Sequence, residues 1–265
     1  MPSVQELYEL WAGDSELHVA LEQSLDPRGP DWLIELFASL GPRVGELVVD
    51  VGCRDAKHAI RLARDHGLRA VAIDPLPLHL ELARRAVADA AVDVEVVQGA
   101  IEALPLDDGS ADWIWCRDVL PHVDARSGLA ECARVLRPGG RVVAYATFAT
   151  ERLEPREAAA LADAMALDAE SMDAGNVERY AAEAGLAQVA VHRLGGEWRE
   201  HMVEDGTWNA SEALLALSRL ERRRAELVES FGAAAVAAYA GGQLWGVYQM
   251  LGKLCPTVYV WERHA

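Results

Sequence analysis

VVDVGCRDAKHAIRLA, running from Val48 to Ala63, decides how this chain is read. A β-branched run closes on Asp50, one glycine follows at Gly52, and a helical spacing of apolar residues at Ala59, Ile60 and Ala63 begins a few positions later. A strand that turns sharply into a helix is the local form of a nucleotide-binding loop, because the turn brings backbone N–H groups and a helix start to one point. Here the run after Gly52 is Cys-Arg-Asp-Ala-Lys, so the GxGxxG pattern of a dinucleotide site is missing. Arg54 would crowd a pyrophosphate and Asp55 would repel it. A ligand that carries adenosine without pyrophosphate is the better match.

Outward from this turn, strand-like and helix-like patterns alternate, as parallel strands joined by crossover helices do. The predicted strands are Leu47 to Val51, Arg69 to Ile73 ending on Asp74, Asp93 to Gln98, Ala111 to Cys116 and Arg141 to Phe148. Helices are predicted between them, at Ala56 to Asp65, Leu78 to Ala90 and Arg126 to Leu136. Ahead of the first strand lie two apolar stripes, one with Leu7, Leu10 and Trp11, the other with Trp32, Leu33, Leu36, Phe37 and Leu40. Beyond residue 150 the pattern turns helical: Glu151 to Met172, Val177 to Ala184, a long amphipathic helix from Ser211 to Phe231, and Ala233 to Tyr239. Ala187 to Leu194 and Thr257 to Trp261 read as strands able to pair antiparallel. The expected fold is α/β, a Rossmann-like open and mostly parallel sheet with a final antiparallel hairpin, amino-terminal helices and helical insertions in the carboxyl half. Residues 1–44 read as a helical cover, 45–150 as the cofactor-binding core, and 151–265 as substrate-side helices with the last strands, all in one compact domain.

Composition narrows the function. The 265 residues are 51% hydrophobic and carry a formal charge of −17, which disfavours a phosphate backbone as partner. Cys53, Cys116, Cys132 and Cys255 are far apart, without CxxC or metal-ligand spacing, so no metal is expected. No basic leader or membrane-length apolar run is visible, and the expectation is a cytoplasmic protein with no membrane partner. The antiparallel strand pair could also serve as the face of a homodimer.

Asp74 stands twenty-four residues after Asp50, at the end of the second strand. A carboxylate there can accept both hydroxyls of a ribose. A cofactor bearing an amino acid could set its carboxylate against Arg54 and its ammonium against Asp50. VVDVGCRDAKHAIRLA, then VAIDPLPLHLELAR, then VVQGAIEALPLDDGSADWIWCRDVLPHV, then ARVLRPGGRVV resemble, in order, the successive motifs of class I S-adenosylmethionine-dependent methyltransferases of the small-molecule type. The resemblance spans about residues 45 to 148 and, less specifically, the ending LGKLCPTVYVWERHA. It implies S-adenosyl-L-methionine as cofactor. It places Asp50 at the family's first-strand acid, Gly52 at the first glycine of its loop, and Asp74 at the ribose-binding acid. Pro75 and Leu76 fall beside the adenine, and Arg117 and Asp118 along the methionine portion. The loop departs from the family at Arg54 and Ala56, where glycines are usual. Ala100 replaces the acid that would bond the adenine amino group, with Ile101 as its apolar neighbour.

Methyl transfer needs an aligned acceptor, exclusion of water and, for an acidic acceptor, a base. His122 follows the fourth strand and is the first candidate base. GEWREHMVEDGTWN adds Glu200 and His201 as further catalytic candidates. Trp198, Trp208, Trp245 and Tyr248, with Tyr8 and Trp11 from the amino end, are candidates to enclose a small aromatic or hydrophobic acceptor. The expected activity is methylation of O, N or C on such a metabolite. Two alternatives stay open: a related scaffold catalysing a rearrangement, cyclisation or decarboxylation, and a noncatalytic binding or partner protein.

Overall fold

The computed structural model describes residues 3–12 and 15–264. Three helices lead, α1 (Val4–Ala12), α2 (Ser15–Leu21) and α3 (Pro30–Ser39). The core follows as β1 (Leu47–Val51), α4 (Lys57–His66), β2 (Arg69–Asp74), α5 (Pro77–Ala90), β3 (Val94–Gln98), β4 (Ala111–Arg117), a 3-10 turn at Leu120–His122, α6 (Ala125–Val135) and β5 (Leu136–Ala149). Then come α7 (Pro155–Met165), α8 (Ala174–Glu183), β6 (Leu186–Arg193), α9 (Glu197–Glu204), α10 (Ala210–Arg222), α11 (Arg224–Phe231), α12 (Ala233–Met250) and β7 (Leu254–Arg263).

The seven strands form one sheet in the order β3-β2-β1-β4-β5-β7-β6. β1 pairs in parallel with both β2 and β4, so the crossovers run in opposite directions on its two sides. A crevice opens at such a reversal, outside the carboxyl ends of the strands, and Asp50 and Gly52 lie there. β7 is antiparallel to β5 and to β6, which gives the expected final hairpin. Apolar residues cover both faces of β1 and β4. One face packs Val49, Val51, Ile114 and Cys116 with residues of α6 and α8, and the other packs Val48, Trp113 and Trp115 with residues of α3, α4 and α9. Phe37 is the keystone of the second layer, its ring centroid 5.0 Å from Trp113 and 5.8 Å from Trp115.

Several segments differ from the sequence expectation. The helix expected over 211–231 is broken at Arg223, which leaves helical geometry at φ −116° and ψ 16°. β5 begins at Leu136, running through Pro138-Gly139-Gly140, because Gly139 takes φ +75° and the register with β4 shifts between Ala111 and Trp113. The helical stretch expected over 151–172 ends early, since α7 stops where Ala166 turns left-handed at φ +51°. No helix among the described residues is long and apolar enough to cross a membrane.

Candidate active site

The turn after β1 is left-handed at every second residue. Gly52 has φ +69°, Arg54 +51° and Ala56 +57°. The backbone thus keeps the shape of a glycine-rich loop while two of three positions carry a Cβ. Each such residue costs roughly 1–2 kcal/mol unless its surroundings hold it. The surroundings do hold it. Gly52 and Cys53 donate their N–H groups to the Ile73 carbonyl at 2.8 and 3.0 Å, Arg54 N–H donates to Asp74 Oδ2 at 3.0 Å, and Ala56 N–H donates to the Cys53 carbonyl at 2.8 Å. Gly52 itself admits no side chain, because a Cβ there would meet Val119 Cγ2 at 2.4 Å.

Asp74 ends β2 with its side chain almost wholly enclosed, at 3% exposure. Besides Arg54, it receives Leu76 N–H at 2.9 Å and His79 Nδ1–H at 3.0 Å, both on Oδ1. Oδ2 has one partner and keeps accepting capacity, which a ribose hydroxyl could use. Pro75, Leu76 and Leu78 lie exposed beside it and offer an apolar ledge of the kind an adenine ring needs.

Asp50 is buried at the start of α4 and accepts Ala59 N–H at 3.1 Å. Burial pushes its carboxyl up to about 7, and the carboxylates of Asp55 and Asp74 push the same way against the pull of Arg117. Three acidic groups thus gather where a cofactor carrying ammonium and sulfonium charge would lie, and their mutual repulsion would be relieved by such a cation. Asp50, Gly52, Asp74 and the ledge beside it fit S-adenosylmethionine.

Other candidates fall differently. Arg54 enters through its backbone, while its side chain is exposed. Ala100 forms a bridge with Ala103, and Ile101 is buried against Gly128 of α6, so Ile101 presents its surface to the core.

Past β4, Arg117 is 23% exposed and Asp118 46%. Arg117 lies with its guanidinium carbon 5.6 Å from the centroids of both Tyr145 and Trp198. Its Nη1–H donates to His58 Nε2 at 3.0 Å, so His58 must be the neutral acceptor; burial first, and then Arg117, lower its pKa to about 3. Asp118 has φ +56° and donates its N–H to the Tyr145 carbonyl at 2.8 Å. Enclosure raises its pKa against the pull of Arg117, His122 and Arg199, although the water reaching its side chain tempers the shift.

His122 stands exposed on the 3-10 turn, its Nδ1 3.3 Å from the carbonyl of Ala166. A carbonyl only accepts, so Nδ1 carries a proton in this contact. Of the six non-glycine residues with positive φ among the described residues, Arg54, Ala56, Asp118 and Ala166 all belong to this neighbourhood. Strain concentrated in this way marks a functional edge.

The remaining candidates do not assemble around Asp118. Glu200 and His201 lie on the helix α9, where adjacent side chains are about 100° apart. His201 Nε2 is 3.5 Å from Asp205 Oδ2, and its ring covers Gly29, so no Glu200–His201 dyad forms. Trp245 and Tyr248 pack with Leu153, Leu161 and Leu254 in a small cluster beneath α7, as α12 turns that face toward its own core. Trp208 lies over Gly246 beside Arg199, and Trp198 is buried on Tyr145 with centroids 4.7 Å apart. Tyr8 and Trp11 pair edge to face on α1 and remain 64% and 60% exposed, away from any enclosure.

Sequence reasoning missed His58, His79, Tyr145 and Arg199. Two carried a local signal, since His58 lies in the turn motif and His79 one helical turn after Asp74. Arg199 and Tyr145 carried none, because only the paired strands and α9 bring them to β4.

Comparison with known proteins is consistent with this geometry. Residues 49–144 match the family described as a methyltransferase domain. An uncharacterized methyltransferase of Mycobacterium bovis is 35% identical over 130 residues, 49% of this chain and 49% of its own length. The sarcosine/dimethylglycine N-methyltransferase of Halorhodospira halochloris is 30% identical over 142 residues, 51% of this chain and 50% of its own. This chain therefore spans about half the length of these curated relatives. The crystal structure of the cyclase SpnF has a similar fold, with a TM-score of 0.67 at 18% identity over 89% of this chain and 81% of that one.

Proposed function

The core of this chain belongs to the class I S-adenosylmethionine-dependent methyltransferase family, and on that premise we propose that it methylates O, N or C of a small aromatic or hydrophobic metabolite. The observation that carries the proposal is Asp74, buried at the end of β2 with accepting capacity left beside a loop of three left-handed residues. In this reading Asp74 holds the ribose, the backbone of Gly52 and Arg117 flanks the methionine portion, and Asp50 balances its ammonium. Bound there, S-adenosylmethionine supplies an electrophilic methyl group whose transfer is an in-line displacement.

The chain's own residues have three tasks in that displacement: to orient the acceptor, to exclude water and to take a proton where the acceptor carries one. His122, its ring held by the Ala166 carbonyl, is the candidate to receive that proton. Val119, packed on Gly52, closes the floor between the loop and the recess around Asp118.

Isothermal titration with S-adenosylmethionine and S-adenosylhomocysteine tests the reading. Micromolar binding of both is expected, and no binding at millimolar concentration would sink it. For an acceptor that must lose a proton, His122→Asn should flatten the acid limb of the pH–rate profile; an unchanged profile would remove His122 from the reaction.

The similarity in fold to a cyclase, together with Arg54 and Ala56 in glycine positions, supports a second reading in which the bound cofactor stays intact and a rearrangement or cyclisation occurs. Transfer of a deuterated methyl group to product, followed by mass spectrometry, separates the two.

A further inference from the structure

We propose that Arg117 and Arg199 form a seat for a carboxylate of the acceptor, so that the metabolite entering the Asp118 recess is an anion. The inference rests on the methyl-transfer reading and adds the acceptor's charge. Arg117 lies 3.9 Å from the half-exposed Asp118 and stacks over Trp198, the neighbour of Arg199, in a chain of net charge −17, where burying a cation is costly unless an anion meets it.

Arg117 spends Nη1 on neutral His58. Its Nε is buried without a partner, and Nη2 makes no hydrogen bond among the described residues. These two N–H groups form one edge of the guanidinium fork, the edge that takes a carboxylate through two parallel bonds. The nearest carboxylate oxygen, Asp118 Oδ2, is 3.9 Å from Nε, beyond hydrogen-bond distance.

Arg199 comes to the same place from α9. Its Nε donates to Gln249 Oε1 at 2.7 Å, Nη1 lies 3.5 Å from the Met202 sulfur, and the guanidinium carbon is 5.1 Å from the Trp208 centroid. Gln249 is held in turn by Thr147 of β5 at 3.4 Å. No carboxylate lies within ion-pair distance of Arg199 among the described residues, so neutral groups orient its charge and Asp118 offsets it only from beyond that distance. Arg117 lies over Trp198, the residue before Arg199 on α9, and over Tyr145, which shares a face of β5 with Thr147, the residue that holds Gln249 and through it Arg199.

The cofactor's own carboxylate is the competing source. Arg199 is anchored through Gln249 to β5, which β4 separates from β1 and its Gly52 loop, and on the methyl-transfer reading that side is the acceptor's.

Isothermal titration of the full chain with benzoate and with its neutral isostere benzamide, each with and without saturating S-adenosylhomocysteine, tests the seat. Wild type should bind benzoate about tenfold or more tightly than benzamide. Arg199→Met should abolish that preference while changing S-adenosylhomocysteine affinity less than about twofold, Arg117→Met should weaken it as well, and Arg199→Lys should keep part of the preference. Thermal melts identify any variant that fails to fold, in which case the Lys variant carries the test. Equal binding of the two probes, or binding of neither by wild type, overturns the proposal. So does a loss of S-adenosylhomocysteine affinity in Arg199→Met as large as the loss of benzoate, which would assign Arg199 to the cofactor's carboxylate. If benzoate is preferred and S-adenosylhomocysteine does not bind at all, the carboxylate seat stands and the methyl-transfer reading falls.

Discussion

Along the carboxyl edge of the sheet, two neighbouring regions are built with opposite charge. Around β1 and β2, Asp50, Asp55 and Asp74 crowd together, and Asp50 is pushed toward neutrality by burial and by the other two. Around β4 and β5, Arg117 and Arg199 face Asp118 across a recess that water enters. The first region suits a cation and the second an anion. On the proposed reading, such a division would let one crevice hold a positively charged methyl donor and a negatively charged acceptor without either competing for the other's place.

The contrast can be broken from the acidic side first. Asp74→Ala removes the acceptor of the Arg54 and Leu76 N–H groups and, on the proposed reading, of the ribose hydroxyls. Cofactor affinity should fall about 100-fold, and stability by roughly 2–3 kcal/mol, because buried donors lose their partner. Calorimetry and a denaturant melt read the two effects, and unchanged affinity would remove Asp74 from the site.

Asp50→Asn sharpens the comparison through pH. The wild-type carboxyl is raised from 3.8 to about 7, so the native state holds a proton that the unfolded chain has lost between these values. Wild-type stability from this group therefore falls as pH rises from about 4 to 7 and stays low above. Asparagine removes that penalty, and the variant should gain on the order of 4 kcal/mol over wild type at pH 8, with the gain fading toward pH 4. Its affinity for S-adenosylmethionine should drop at pH 8 all the same, because the anion opposite the ammonium is gone. A pH-independent stability difference would contradict the burial argument.

Gly52→Ala should cost about 1–2 kcal/mol, since the residue has φ +69° and Val119 fills the space above it. Ala56→Gly should act in the opposite sense, gaining up to about 1 kcal/mol in a thermal melt, as the left-handed strain relieved slightly exceeds the backbone entropy lost. If Ala56→Gly destabilises instead, the loop does not store strain.

The acidic region was largely legible in the sequence, because its parts lie within one strand–turn–helix and one following strand. Asp50, Gly52 and Asp74 are separated by short, fixed spacings, and the order of β1 and β2 follows from the alternation itself. Even the left-handed geometry at Arg54 and Ala56 was implied by their places in the loop. The basic region was not legible. Arg199 reaches the recess only because β7 inserts between β5 and β6 and α9 then folds back over Tyr145, a placement set by contacts distant in sequence. The tryptophans misled for the same reason. Trp115 and Trp261 are fully buried, and Trp198 and Trp245 fill layers between elements, so their abundance reflects core volume more than ligand enclosure.

The position of β7 also matters to how the molecule is made. Though last of the strands in sequence, it supplies the hydrogen-bonding partners for both β5 and β6. During synthesis the nascent sheet must wait with two open flanks until residues 254–263 have left the ribosome, which makes a chain stalled short of this strand a substrate for chaperones and proteases.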